Sequence, residues 1–251
     1  MGIVNVTPDS FSGDGLGSDR DAAITQGMRM MREGADFLDV GGESTRPGHV
    51  PITVAEEIAR TESVVRHFTR ESGVPVSIDS YKLEVAEAAV EAGATILNDV
   101  WGLHRSPALA DLAARRSCAL VVMHNQDGTH YDGDVMVEIK RSLRESAMRA
   151  TEAGVPRERV LIDPGIGFGK TAEHNWVVMR RLPELKELGL PILIGTSRKS
   201  FIGKLLDLPV EERLEGTAAT VTAAVLRGAD VVRVHDVLAM TRVIRVADHM
   251  R

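Results

Sequence analysis

Eight short, β-rich apolar runs recur along the chain: GIVNV at 2–6, FLDV at 37–40, PVSID at 75–79, TILND at 95–99, ALVVM at 119–123, RVLID at 159–163, PILIG at 191–195 and VVRVH at 231–235. Between them, apolar residues return at helical spacing over 22–32, 54–70, 84–91, 108–115, 135–152 and 217–226. Three helix exits read almost alike, EGADFLDV at 33–40, EAGATILNDV at 91–100 and RGADVVRVHDV at 227–237. In each, a glycine supplies the left-handed turn past a helix end, and a buried strand follows. Runs that are apolar nearly throughout suit a parallel sheet covered on both faces. Eight such units at about 31 residues each fill one closed barrel. The expected fold is therefore α/β, a (β/α)8 TIM barrel, as a single domain over 1–251. A doubly wound open sheet is the alternative, and the absence of a GxGxxG turn after any strand run speaks against it. The barrel also places Met1 at the start of strand one, on the face opposite the chemistry.

The composition narrows the function. A hydrophobic fraction of 43% and a charged fraction of 26% are those of a globular chain with a core. The 30 Lys and Arg against 36 Asp and Glu leave a net charge of −6, which gives nucleic acid or an anionic membrane no general footprint. No apolar stretch approaches the ~18 residues of a membrane span. The opening MGIVNV lacks a basic signal region. The lone Cys118, inside CALVVM, reads as a core thiol. A cytoplasmic protein acting on small molecules, with no nucleic acid or membrane partner, is the expectation.

Position carries most of the functional signal. Asn5 ends the first strand run, Asp39 and Glu43 follow the second, and Asp79 ends the third; Asn98 and Asp99 end the fourth, and His124 the fifth. Asp163 ends the sixth, Ser197 to Ser200 follow the seventh, and Arg233 and His235 end the eighth. In a (β/α)8 barrel these ends share the face on which active sites are built. Asp79, Asn98, Asp163 and Lys199 combine carboxylates, an amide and a cationic donor, a set suited to a planar heterocycle with an N–H edge beside a carbonyl. Arg46, Arg198, Arg233 and His235 supply local positive charge, and a helix start near Asp236 adds free amides, so a phosphate or diphosphate is the expected anion. Each has a plainer alternative: Arg198 as an ion-pair partner, His235 as a core histidine, Asp99 as a loop-ordering carboxylate. For His124, loop-ordering and ligand roles both stay open.

Two long strand-to-helix loops, 7–19 and 41–53, and a shorter one at 124–134 are candidate binding loops. DPGIGFGK at 163–170 falls one residue short of a Walker A spacing and is not a nucleotide cradle; its glycines let backbone approach a flat ligand beside Phe168. No HExxH, cysteine cluster or EF-hand loop occurs. A Mg2+ ion shared with a diphosphate and touching Asn5 fits oxygen ligation.

The motifs MGIVNVTPDSFS at 1–12, DVGGESTRPG at 39–48, SIDS at 77–80, NDV at 98–100, DPGIGFGK, SRKS at 197–200 and RVHDV at 233–237 closely resemble the dihydropteroate synthase family, in order and along the whole chain. The resemblance implies a (β/α)8 barrel and a transferase of folate biosynthesis that is a sulfonamide target. Its reaction joins 4-aminobenzoate to (7,8-dihydropterin-6-yl)methyl diphosphate and releases diphosphate, with Mg2+ as cofactor. It implies a pterin pocket of Asp79, Asn98, Asp163 and Lys199 with Met123 beneath the ring, and a diphosphate and Mg2+ site of Asn5, Arg233 and His235. Aminobenzoate walls would come from Phe11, Ser12, Thr45, Arg46, Pro47, Phe168 and Ser200. Asp79, Lys199, Arg233 and His235 are the residues expected to carry catalysis, by a dissociative route, and a homodimer is the family's habit. A pterin-binding methyltransferase module and a non-catalytic pterin-binding paralogue are the alternatives. SGDGLGSD at 12–19 departs from the family's usual first-loop step and shifts Asp14 by one position.

Overall fold

The computed structural model describes residues 1–6, 16–44 and 50–251, with side chains from residue 20 onward in the first helix. All eight strand runs form strands: β1 (Gly2–Asn5), β2 (Leu38–Gly41), β3 (Val76–Asp79), β4 (Ile96–Asp99), β5 (Ala119–Met123), β6 (Val160–Asp163), β7 (Leu193–Ile194) and β8 (Val231–Val232). The first six pair in sequence order as one parallel sheet, and β7 pairs with β8. Parallel bridges Ile162–Ile192 and Gly2–Val234 join the two sheets at both seams. Ile3 N–H donates to Val234 O at 3.0 Å, and Val234 N–H to Met1 O at 3.0 Å. The strands thus close into a barrel, and the open-sheet alternative falls.

Among the described residues the helices are α1 (Leu16–Arg32), α2 (Val54–Glu71), α3 (Leu83–Glu91), α4 (Ala108–Arg116), α5 (Val135–Glu152), α6 (Ala172–Arg181), α7 (Ser200–Leu206), α8 (Leu214–Leu226) and α9 (Val237–His249). Three of these helices begin on a side-chain cap. Thr53 accepts from Glu56 N–H at the head of α2, and Asp134 from Met136 N–H at the head of α5. Thr171 forms a capping box with His174 on α6. Such caps are each worth about 1 kcal/mol.

Strand alternation divides the apolar residues in two. Val4, Leu38, Val40, Ile78, Leu97, Leu120, Val122, Val160 and Ile162 pack outward into the main core, beneath the helices. Met1, Ile96, Val121 and Leu193 form a separate cluster with Phe37, Ala119, Leu161 and Val231 against it. That second cluster is the plug of the barrel interior. Above it, the same inward parity carries Asp39, Asp79, Asn98, Met123 and Asp163 toward the carboxyl ends of the strands. Cys118 is buried, as expected of a core thiol. No helix of the described residues is long and apolar enough to cross a membrane.

Candidate active site

The acceptors lie on the six-stranded sheet. Asp79 on β3 is the register partner of Asn98 on β4, and Met123 on β5 that of Asp163 on β6. All four are buried, as is Asp39 on β2. Asn98 Nδ2 donates to Asp39 Oδ2 at 3.1 Å. Arg233, following β8, forks between two carboxylates: Nε donates to Asp39 Oδ2 at 2.6 Å and Nη2 to Asp79 Oδ2 at 2.7 Å. The second oxygens, Asp39 Oδ1 and Asp79 Oδ1, are buried without a hydrogen-bond partner. Buried acceptors of this kind are costly unless something donates to them. Burial pushes Asp79 up to about 7, against the opposing pull of Arg233. Asp163 is also raised by burial, although its Oδ1 accepts from Gly165 N–H at 2.7 Å.

Donors come from the other sheet. Lys199 is the residue before α7, and its Nζ lies 4.1 Å from the centroid of the Phe168 ring. Ser200, exposed, is the first residue of that helix. His235 N–H donates to Ser197 Oγ at 3.2 Å, and Ser197 Oγ sits 3.0 Å from His235 Nδ1. A hydroxyl that accepts from the backbone has its own proton for Nδ1, which leaves His235 with an Nε2–H to offer. Burial, with Arg233 and Arg198 close by, holds His235 down at about 3, so that donor is neutral. Asn5, half-buried, ends β1.

Arg198 takes the plainer alternative. It binds Asp236 through both edges, Nε to Oδ2 at 2.9 Å and Nη2 to Oδ1 at 2.6 Å, and so is committed to an ion pair. Asp99 likewise orders its loop, accepting from Trp101 N–H at 2.9 Å and Leu103 N–H at 2.6 Å. His124 makes the kind of contact its loop-ordering alternative calls for, its Nδ1 lying 2.8 Å from Lys170 Nζ. Lys82 joins the ends of the second loop: its Nζ donates to Glu43 Oε2 at 2.6 Å, Glu57 Oε2 at 2.8 Å and Ile52 O at 2.7 Å. The expected aminobenzoate residues Phe11, Ser12, Thr45, Arg46 and Pro47, with Arg46 also expected at the anion, lie outside the described residues.

The family model described as "Pterin binding enzyme" matches residues 1–235. A dihydropteroate synthase of Clostridium beijerinckii is 48% identical over 249 residues, covering 99% of this chain and 92% of its own. A solved dihydropteroate synthase from Clostridium difficile, determined in the presence of pteroic acid, superposes with a TM-score of 0.97 at 48% identity, covering 100% of this chain and 95% of that one. The chain belongs to the dihydropteroate synthases, within the pterin-binding enzymes. A synthase from Xanthomonas albilineans, solved with 4-aminobenzoic acid, has a TM-score of 0.94 at 44% identity, covering 100% of this chain and 92% of that one.

As a member of the dihydropteroate synthases, the chain presents buried acceptors from β2 to β6 and cationic or neutral donors from β7 and β8. Asp39 is the site residue that sequence reasoning passed over as merely following strand two. It lies within β2, paired with Ile3 and Ser77. Its signal was available: an acidic residue in the middle of FLDV, at the parity of Gly41, has nowhere to point but into the barrel.

Proposed function

We propose that this protein is a dihydropteroate synthase at work in the cytoplasm: residues 1–251 form one domain that condenses 4-aminobenzoate with (7,8-dihydropterin-6-yl)methyl diphosphate to 7,8-dihydropteroate and diphosphate. The carrying observation is the unpartnered Asp79 Oδ1 in the barrel mouth, in register with Asn98 and within the field of Lys199. A pterin's amino and ring N–H edge supplies donors to such carboxylates, and Lys199 supplies one to its carbonyl. Met123 lies below, at the register of Asp163.

In this reading the bond from the pterin methylene to diphosphate breaks first, the arylamine nitrogen then bonds to the methylene, and the amine loses a proton. Asp79 stabilises the positive charge that spreads over the dihydropterin, and the polar walls hold the ring in line. His235 donates Nε2–H to the departing oxygens. Arg233 sits between both ends, tied to Asp79 and reaching toward the anion. Phe168 and Ser200, with Phe11, Ser12, Thr45, Arg46 and Pro47, receive the aminobenzoate.

The donor set suits Mg2+ in one specific way. Among the described residues no group of three His, Cys, Asp or Glu gathers to cage a metal. The Asn5 amide oxygen is a hard, neutral ligand, appropriate to an ion that brings its remaining oxygens as diphosphate and water. When bound there, Mg2+ neutralises charge on the leaving diphosphate. A homodimer through the late helices is supported by exposed Leu205, Leu238 and Val246 on α7 and α9; sedimentation at twice the chain mass is the expected result.

The direct test mixes purified protein, pterin diphosphate, 4-aminobenzoate and Mg2+ and follows dihydropteroate. Pterin binding without product would favour the non-catalytic paralogue and overturn the proposal.

A further inference from the structure

The 163–170 loop is braced from one side by residues to which the proposed chemistry gives no task. Lys170 is buried, and its Nζ contacts two groups, Phe168 O at 3.0 Å and His124 Nδ1 at 2.8 Å. Burial and the charge of Lys170 hold His124 down at about 3, so the ring is neutral, and the Lys170 ammonium at its Nδ1 makes that nitrogen the acceptor. Tyr131, from the loop after β5, donates its hydroxyl to Gly169 O at 2.9 Å. Its ring is stacked on His124 at 6.1 Å and meets His174 edge-on at 4.9 Å. Gly169 has φ +53°, and a Cβ there would stand 2.7 Å from Gln126 O, so the loop lies directly against the β5–α5 backbone. Between these anchors sits Phe168, and on its ring rests the Lys199 ammonium, 4.1 Å from the centroid.

We infer that Lys170 and Tyr131 are positioning residues of the pterin site: they brace the 163–170 loop from the β5 side, so that the Phe168 ring holds the Lys199 ammonium in place. The inference rests on the assignment of Lys199 to the pterin pocket. The brace acts through one ring, which makes its effect conditional on that ring. Removing Lys170's donors frees the Phe168 carbonyl, and removing the Tyr131 hydroxyl frees the next residue. A merely structural role would lower stability without moving Lys199 and would act independently of Phe168.

Two readouts decide it. In protein labelled with 13C-lysine and assigned with Lys199→Arg, the Lys199 ε-methylene protons are shielded by the Phe168 ring. Lys170→Met should return them toward the random-coil position, and Tyr131→Phe part of the way. Calorimetry with 7,8-dihydropterin should show affinity falling about tenfold in Lys170→Met and about threefold in Tyr131→Phe, and neither loss should recur in a Phe168→Leu background. An unmoved Lys199 signal, or losses that add in full to that of Phe168→Leu, would overturn the inference. If Lys170→Met fails to fold, Tyr131→Phe, which deletes one hydroxyl, carries both readouts. A wild-type protein that neither binds dihydropterin nor makes dihydropteroate would sink the functional proposal, and the lysine spectrum would still decide the brace.

Discussion

Arg233 reaches across the barrel mouth to Asp79, Nη2 to Oδ2 at 2.7 Å, joining residues 154 positions apart in the chain. The same guanidinium holds Asp39 at 2.6 Å, so one cation serves two carboxylates. Burial, with the Asp39 carboxylate close by, keeps the Asp79 carboxyl raised to about 7 against the pull of Arg233. A substrate that carries positive charge toward Asp79 opposes that rise.

Asp79→Asn should therefore lower kcat on the order of 100-fold, with a smaller effect on pterin affinity, because the lost charge acts on the cation and the amide can still accept one bond. Steady-state rates beside calorimetric affinities separate the two. In the wild type, kcat/KM should fall as pH drops through about 7 and Asp79 takes up its proton. That part of the acid limb should be missing in Asp79→Asn.

Lys199→Ala should weaken 7,8-dihydropterin binding and turnover together, each by at least about tenfold, as loss of a charged donor in a buried site does. Unchanged turnover would remove this lysine from the pocket.

His235 sets a pH dependence of stability. Its folded pKa lies below the unfolded value, so its contribution is present above about 6.5 and is lost as pH falls toward about 3. Unfolding in urea at several pH values should show His235→Gln losing less stability on acidification than wild type, by about 1.4 kcal/mol per pH unit between 6 and 4. Equal slopes would mean that the native imidazole protonates freely.

Gly165→Ala should cost at least about 2 kcal/mol, since the residue has φ +71° and its new methyl would fall 1.9 Å from His124 O. Denaturant midpoints check the stability, and pterin affinity should fall with it because Asp163 Oδ1 is held by the Gly165 amide.

Chelation of Mg2+ should abolish turnover while leaving the affinity for 7,8-dihydropterin, which has no diphosphate, within about twofold. Calorimetry with and without chelator distinguishes this from a metal that supports the fold.

The sequence exposed the strands more fully than the partners of their side chains. Apolar runs bounded by turn residues marked all eight strands, because a parallel barrel buries both faces and leaves little room for polar interruption. Helices α6, α7 and α9 were not among the stretches read from helical spacing, although α9 is strongly amphipathic, and α7, which begins immediately after Lys199, spans only Ser200–Leu206. At the site, strand ends located Asp79, Asn98, Asp163, Lys199 and Arg233, but not which carboxylate Arg233 would choose. That choice depends on neighbours closing around a ring, information spread over β2, β3 and β8. Arg198 shows the converse: a rim cation expected from the sequence to meet an anion is tied in space to Asp236, 38 positions on.

The two seams of the barrel give the site a division of labour. The six-stranded sheet bears the acceptors Asp39, Asp79, Asn98 and Asp163, whereas the strand pair β7 and β8 leads into the donors Lys199, Arg233 and His235. A single parallel bridge marks each seam. Any ligand gripped by both sets is a suture across the least laced part of the cylinder, so occupancy should tighten the wall itself and slow amide exchange along β7 and β8 before it is felt elsewhere.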